Sequence, residues 1–179
     1  MFKISLLFAL FIFSSSFNFD SSPRNTIAFH LNPKGTEKII GIPNNFEDRL
    51  IKLINAKRIK RGLNALIPHK DLMRASRYHA ADMANEDYHE HTTHNRTKKG
   101  LQPGLSAFKR ISKFYDGFAN TENIGAGYAT PEAILQGWID SPGHNENLFN
   151  ESATHVGVGY YENPNSSFGK YWVFESAVE

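Results

Sequence analysis

The sequence predicts an α+β domain with helices early and strands late, packed as layers. Three observations lead there. Apolar residues recur at helical spacing between Phe46 and Met83. Thr154 to Tyr161 (THVGVGYY) and Lys170 to Val178 (KYWVFESAV) instead alternate as strands do. The loop between them carries Pro164 and Gly169, so the two strands form an antiparallel hairpin.

The first helix is expected to open at Asn44 or Asn45, with Glu47 and Asp48 in its first turn and Phe46, Leu50, Leu53, Ile54 and Ile59 on its inner stripe. Gly62 ends it, after Lys57, Arg58, Lys60 and Arg61. Those bases suit the negative end of the helix dipole, and a solvated helix end is favoured over a docking patch. Pro68 opens a second helix, with Leu72, Ala75, Ser76, His79, Ala80 and Met83 on one stripe down to Tyr88. An irregular region is expected from His89 to Pro103, then a short helix over Ser106–Tyr115 with Phe108, Ile111 and Tyr115 inward. Glu122 to Tyr128 is too rich in glycine for a helix and reads as a short extended segment. Thr130-Pro131-Glu132 starts another helix, with Ala133, Ile134, Gly137 and Trp138 buried, and Ser141-Pro142-Gly143 stops it.

Upstream, Met1-Phe2-Lys3, the apolar run Ile4–Phe13 and Ser14–Ser16 have the order of a signal peptide, placed at residues 1–16. This ten-residue run, apolar but for Ser5, falls well short of the roughly 20 that a membrane-spanning helix needs. Residues 17–43 read as a polar arm or linker, and residues 44–179 as the domain. The expected location is therefore secreted, periplasmic or extracellular, with no transmembrane anchor. A formal net charge of +2 gives no argument for nucleic acid or for an anionic membrane. With no cysteine, the domain relies on its core alone.

Of the eight histidines, His79 lies on an apolar stripe and reads as a satisfied core residue rather than a ligand. His89, His91 and His94 crowd one loop, where a zinc reading and a polar-loop reading stand even on spacing. His144 follows Ser141-Pro142-Gly143, which is expected to present its ring from a tight turn. Glu122 opens the glycine-rich segment, where a carboxylate beside imidazoles could fix a tautomer or share a metal. The alternative is that it merely bridges backbone amides.

Several motifs then fall in order: Asn55-x-x-Arg58, Leu72 with Ala80-x-Asp82-Met83-Ala84, Tyr88-His89-Glu90-His91-Thr92, Glu122-Asn123-Ile124, Trp138 to Asn147 (WIDSPGHNEN), and Val156-Gly157-Val158-Gly159-Tyr160. Together, from about Phe46 to Ala177, they resemble the CAP superfamily of cysteine-rich secretory, antigen-five and pathogenesis-related proteins, and in particular its bacterial SCP-like extracellular branch. The resemblance implies a three-layer α-β-α sandwich with one cleft site at His91, Glu122 and His144. Thr121 stands where the family usually has glycine before the glutamate. Ser141, with Asp140 beside it, stands where eukaryotic members carry a second glutamate.

The resemblance implies a binding or interaction module, whose cleft takes a small ligand, a lipid, a peptide or an envelope component. The alternative is a hydrolase working from the same cleft, by acid and base or through a zinc ion held by His91 and His144. A serine mechanism through Ser141 lacks a nucleophile elbow. A surface component with an unused cleft is the third expectation.

Overall fold

The computed structural model describes residues 33–37 and 45–179. The proposed signal peptide and most of the polar arm lie outside the described residues.

Helix α1 spans Phe46–Lys60, a two-residue strand β1 covers Ile67–Pro68, and helix α2 spans Lys70–Glu86. Asn45 precedes α1 but does not cap it through its side chain, and it sits in the left-handed region at φ 53°. Leu50, Ile51 and Ile54 are buried on the inner stripe, whereas Ile59, expected there, is 62 % exposed. The cap of α2 is His69, whose ring nitrogen Nδ1 accepts from Asp71 N at 3.2 Å, so Pro68 belongs to the strand before it.

The region expected to be irregular contains a hairpin, β2 (His94–Thr97) with β3 (Gly100–Pro103). Four polar residues in β2 hid it, because alternation of apolar residues is the usual strand signal. Helix α3 is one short segment, Ala107–Ile111. Ile111 and Tyr115 are buried as expected, but Phe108 is 51 % exposed. Strand β4 runs Phe118–Ala126, longer than the glycine signal suggested. Helix α4 (Pro131–Asp140) begins on Thr130, whose Oγ1 accepts from Ala133 N at 3.2 Å. Ala133 itself lies on the outer side. Ser141 does not end the helical path but breaks it, because α5 (Pro142–Leu148) starts at once, with proline in its first turn. Strands β5 (His155–Glu162) and β6 (Lys170–Val178) form the expected antiparallel hairpin.

The sheet order is β1-β5-β6-β4, parallel between β1 and β5 and antiparallel elsewhere. Strand alternation divides its side chains between two cores. Val156, Val158, Tyr160, Trp172 and Phe174 pack with α1, α4 and α5 on one side. On the other, Tyr171, Val173 and Ala177 pack with α2 and with the region around α3. The result is the α-β-α sandwich.

Two glycines set how closely α2 approaches. A Cβ on Gly157 would lie 2.2 Å from the carbonyl carbon of Leu72, and one on Gly159 2.2 Å from that of Ser76. Backbone therefore rests on backbone, which brings the polar residues of α2 within reach of β6. The Asn55-x-x-Arg58 motif ties α1 to the segments around it. Asn55 exchanges two hydrogen bonds with the backbone of Leu66, at 2.9 and 2.8 Å. Arg58, fully buried, donates to the carbonyls of Asn64, Leu148 and Asn150 at 2.9, 2.9 and 3.0 Å.

Candidate functional site

The site lies where the loop after α2 meets α3, β4 and α5. Asp87 closes α2 in a left-handed conformation at φ 56°. Its carboxylate accepts from Ser167 N and Oγ at 2.7 and 2.9 Å, which ties this turn to the β5–β6 loop. The chain then delivers His91 to β4. The Nδ1 of His91 and Oε1 of Glu122 are 2.7 Å apart, with the histidine side chain 52 % exposed and the glutamate 2 %.

Beneath them stands a residue that sequence reading missed. Arg110 of α3 is fully buried and donates from Nη2 to Glu122 Oε2, at the same time approaching Glu175 Oε1 at 3.4 Å. Its Nη1 donates to the His91 carbonyl at 2.8 Å, so one guanidinium fixes both the carboxylate and the loop that carries the imidazole. Glu175 in turn accepts from Ser76 Oγ at 3.0 Å. The visible signal was Glu175-Ser176, a polar pair interrupting the apolar run of β6.

Burial pushes Glu175 up to about 7, against the pull of Arg110 and Ser76. Asp82 is likewise raised by burial to about 7, although Tyr88 donates to it at 2.5 Å. Burial and the Arg110 charge hold His91 below the usual histidine range. His79 is a core histidine, as expected, but only half satisfied: it is buried, its Nε2 lies 2.9 Å from the Glu90 carbonyl, its Nδ1 has no hydrogen-bond partner among the described residues, and burial holds its pKa well below the usual range.

His144 sits in the first turn of α5 rather than in an open turn. Its backbone carbonyl accepts from Asn123 Nδ2 at 2.9 Å. Asn147, one turn on, donates to the Glu122 carbonyl at 3.1 Å and to Asn123 Oδ1 at 2.8 Å. Thus His91 and Glu122 touch, while His144 is placed beside them across Asn123. Burial lowers the basicity of His144 and of His89, and each is lowered further by the charge His91 would carry.

One cavity opens on the His91–Glu122 pair and another lies at His144. The first, of about 350 Å³, is lined by His91, Ser106, Phe108, Asn120, Glu122 and Asn147. It meets an apolar hollow of about 360 Å³ at Phe108 and Asn120, with Phe118 on its far wall. The other cavity, about 290 Å³, holds His89, Tyr128, Trp138, Ser141, His144 and Phe168. Phe108, Phe118, Tyr128 and Phe168 are four of the six large apolar side chains left exposed among the described residues.

Zinc sites are built from three or four convergent protein donors. Among the described residues no group of three or more His, Cys, Asp or Glu side chains is arranged to hold a metal ion. Both Glu122 oxygens are already engaged, by His91 and by Arg110. The set His91, Glu122 and His144 therefore does not fit zinc, and the imidazoles of His91 and His144 remain as a pair too few to hold it in that manner. No helix among the described residues is long and apolar enough to cross a membrane.

Two proteins of Bacillus subtilis are similar in sequence. The uncharacterized protein YkwD is 32 % identical over 118 residues, 65 % of this chain and 43 % of its own length. The uncharacterized membrane protein YlbC is 30 % identical over 142 residues, 76 % of this chain and 38 % of its own. The chain thus spans about two fifths of the curated relatives it matches. Among solved structures, an extracellular protein containing an SCP domain from Bacillus anthracis superposes with a TM-score of 0.63 at 28 % identity, over 76 % of this chain and 41 % of that one. An outer surface protein from Borrelia burgdorferi shares the fold, with a TM-score of 0.60 at 21 % identity over 74 % and 91 % of the two chains. The model of the cysteine-rich secretory protein family, CAP, matches residues 51–176, and the chain belongs to that family.

Proposed function

We propose that this chain is a secreted binding module whose cleft holds an extended ligand, a peptide or a lipid chain, laid across His91. The observation that carries this reading is the commitment of Glu122. With one oxygen on His91 and the other on Arg110, and its side chain 2 % exposed, the carboxylate is taken up in holding those two groups. What it does is hold the ring, leaving His91 Nε2 as an oriented hydrogen-bonding group on the wall of the cavity that also holds Phe108. Exposed aromatic rings at both ends of the cleft offer apolar contact on either side of that polar centre.

A hydrolase using His91 as general base is the second reading. One observation favours it, the orientation of the imidazole through Nδ1 by a buried carboxylate, as a base is oriented by its third group. Two assays on the chain from Phe17 onward separate the readings. Fluorescence polarisation against pools of labelled hexapeptides and labelled fatty acids should give saturable binding that weakens in His91→Ala and Phe108→Ser. Casein incubated with the same protein should stay intact. Casein cleavage that disappears in His91→Ala would replace the binding reading with the hydrolase.

A further inference from the structure

The near-neutral charge of the whole chain hides a strong asymmetry. It has 20 Lys and Arg against 18 Asp and Glu, yet the 22 residues from Arg49 to Lys70 hold seven bases and no acid. The structure sorts those seven. Arg58 is buried on carbonyls, Arg49 pairs with Glu132 at 2.5 Å, and the Arg61 guanidinium lies 3.4 Å from the centre of the Phe149 ring. Lys52, Lys57, Lys60 and Lys70 are exposed, and none has a carboxylate within 4.0 Å among the described residues.

Apolar side chains stand among these lysines. Lys52, Ala56, Ile59 and Lys60 share one face of α1 by their spacing, and Ile59 is 62 % exposed at its centre. Asn55, one turn before Ile59 on the same side, grips the backbone of Leu66. That places the 58 % exposed Ile67, followed by exposed Pro68, beside this face. Ile59 and Ile67 are the two large exposed apolar residues that do not border the cleft.

We infer that this face of α1 and the α1–β1 loop docks on an anionic lipid surface, with Ile59 and Ile67 entering the interface and Lys52, Lys57, Lys60 and Lys70 reaching the phosphates. Charge complementarity selects an anionic partner. The aliphatic pair selects a bilayer over a soluble polyanion, since lysine stems lie along apolar surface while their ammonium groups reach out. Nucleic acid would call for free guanidinium forks or stacking rings, and all three arginines here are engaged elsewhere. None of these residues lines the cleft, so docking leaves it open.

The test is co-sedimentation of the chain from Phe17 onward, which contains every residue of the described fold, with phosphatidylcholine vesicles with and without phosphatidylglycerol. Binding is expected to the anionic vesicles and not to the neutral ones, and to fall as salt rises. Lys57→Gln with Lys60→Gln should weaken it about 30-fold at low salt. Ile59→Ser should weaken it as well and leave binding to inorganic polyphosphate unchanged. Circular dichroism should show all variants folded, because every changed side chain is exposed. Equal binding to both vesicle types, no binding to either, or an Ile59→Ser variant that binds anionic vesicles as the parent does would each overturn the proposal.

Discussion

Arg110 and Glu122 form an ion pair enclosed beneath the ring of His91, with side-chain exposures of 0 % and 2 %. The pair is not isolated, because Glu175 approaches the same guanidinium nitrogen and Ser76 closes the other side of Glu175. One cation thus serves two buried carboxylates. Replacing it with methionine leaves Glu122, and above about pH 7 Glu175 as well, without a counter-charge, and Arg110→Met should cost about 3–5 kcal/mol in urea unfolding at pH 8. Adding Glu122→Gln and Glu175→Gln to that variant should restore most of the loss. A triple variant no more stable than the single one would show that packing, not charge, is what Arg110 supplies.

The raised Glu175 makes a pH-dependent contribution whose sign follows from proton binding. Its carboxyl titrates at about 7 in the folded chain against an ordinary 4.5, so between those values the native state holds a proton that the unfolded chain does not. That contribution is fully present below about 4.5 and is lost as pH rises through 7. Asp82, raised from 3.8 to about 7, acts in the same direction. His79 acts in the opposite one, since below its ordinary 6.5 the unfolded chain takes a proton that the buried ring refuses. Relative to the parent, Glu175→Gln should therefore gain stability as pH goes from 5 to 8. Urea midpoints at the two pH values measure this, and a pH-independent difference would count against it.

His91 should exist at neutral pH with its proton on Nδ1, shared with Glu122, and with Nε2 unprotonated. Nitrogen-15 chemical shifts of the ring report this tautomer directly. Titration should put its midpoint below 6.5, the direction that burial and Arg110 give. Glu122→Gln removes an anion from the imidazolium and should move the midpoint lower still while releasing the tautomer. A midpoint that rises in this variant would mean Glu122 does not hold the ring.

Gly159→Ala tests the contact between α2 and the sheet. The added methyl would meet backbone atoms of Ser76 and Arg77, at 2.2 to 2.4 Å, and backbone cannot rotate away as a side chain does. A loss of about 1–3 kcal/mol is expected, and a lower melting temperature by several degrees. Gly143→Ala is the matching control, since nothing lies within 4 Å of its added carbon and its melting temperature should change little.

Much of this was legible in the sequence, for physical reasons that differ by element. The β5–β6 hairpin and helix α4 were plain, because alternation, a Thr-Pro start and a buried tryptophan act locally. Hairpin β2–β3 was not, since the residues of β2 are held by backbone pairing and carry no apolar face. Ile59 and Phe108 fit their helical stripes by spacing and are nonetheless exposed, because periodicity fixes an angle around a helix and not what lies opposite it. The pairing of His91 with Glu122 came from motif order, as 31 residues separate them. Arg110 carried no such order. A lone arginine reads as surface until Glu122 and Glu175, on two different strands, are known to face it.

The short helix that carries His144 is stitched to β4 at two points that do not involve the imidazole. Asn123 holds the His144 carbonyl, and Asn147 holds the Glu122 carbonyl. Trp138, in the helix before, adds a third stitch at the Ile124 carbonyl, 3.0 Å away. The frame of the cleft is thus encoded in amides and an indole, and the imidazole is carried on it like a tool in a fixed handle. Exchanging that one side chain should therefore change the chemistry of the cleft wall without redrawing its outline.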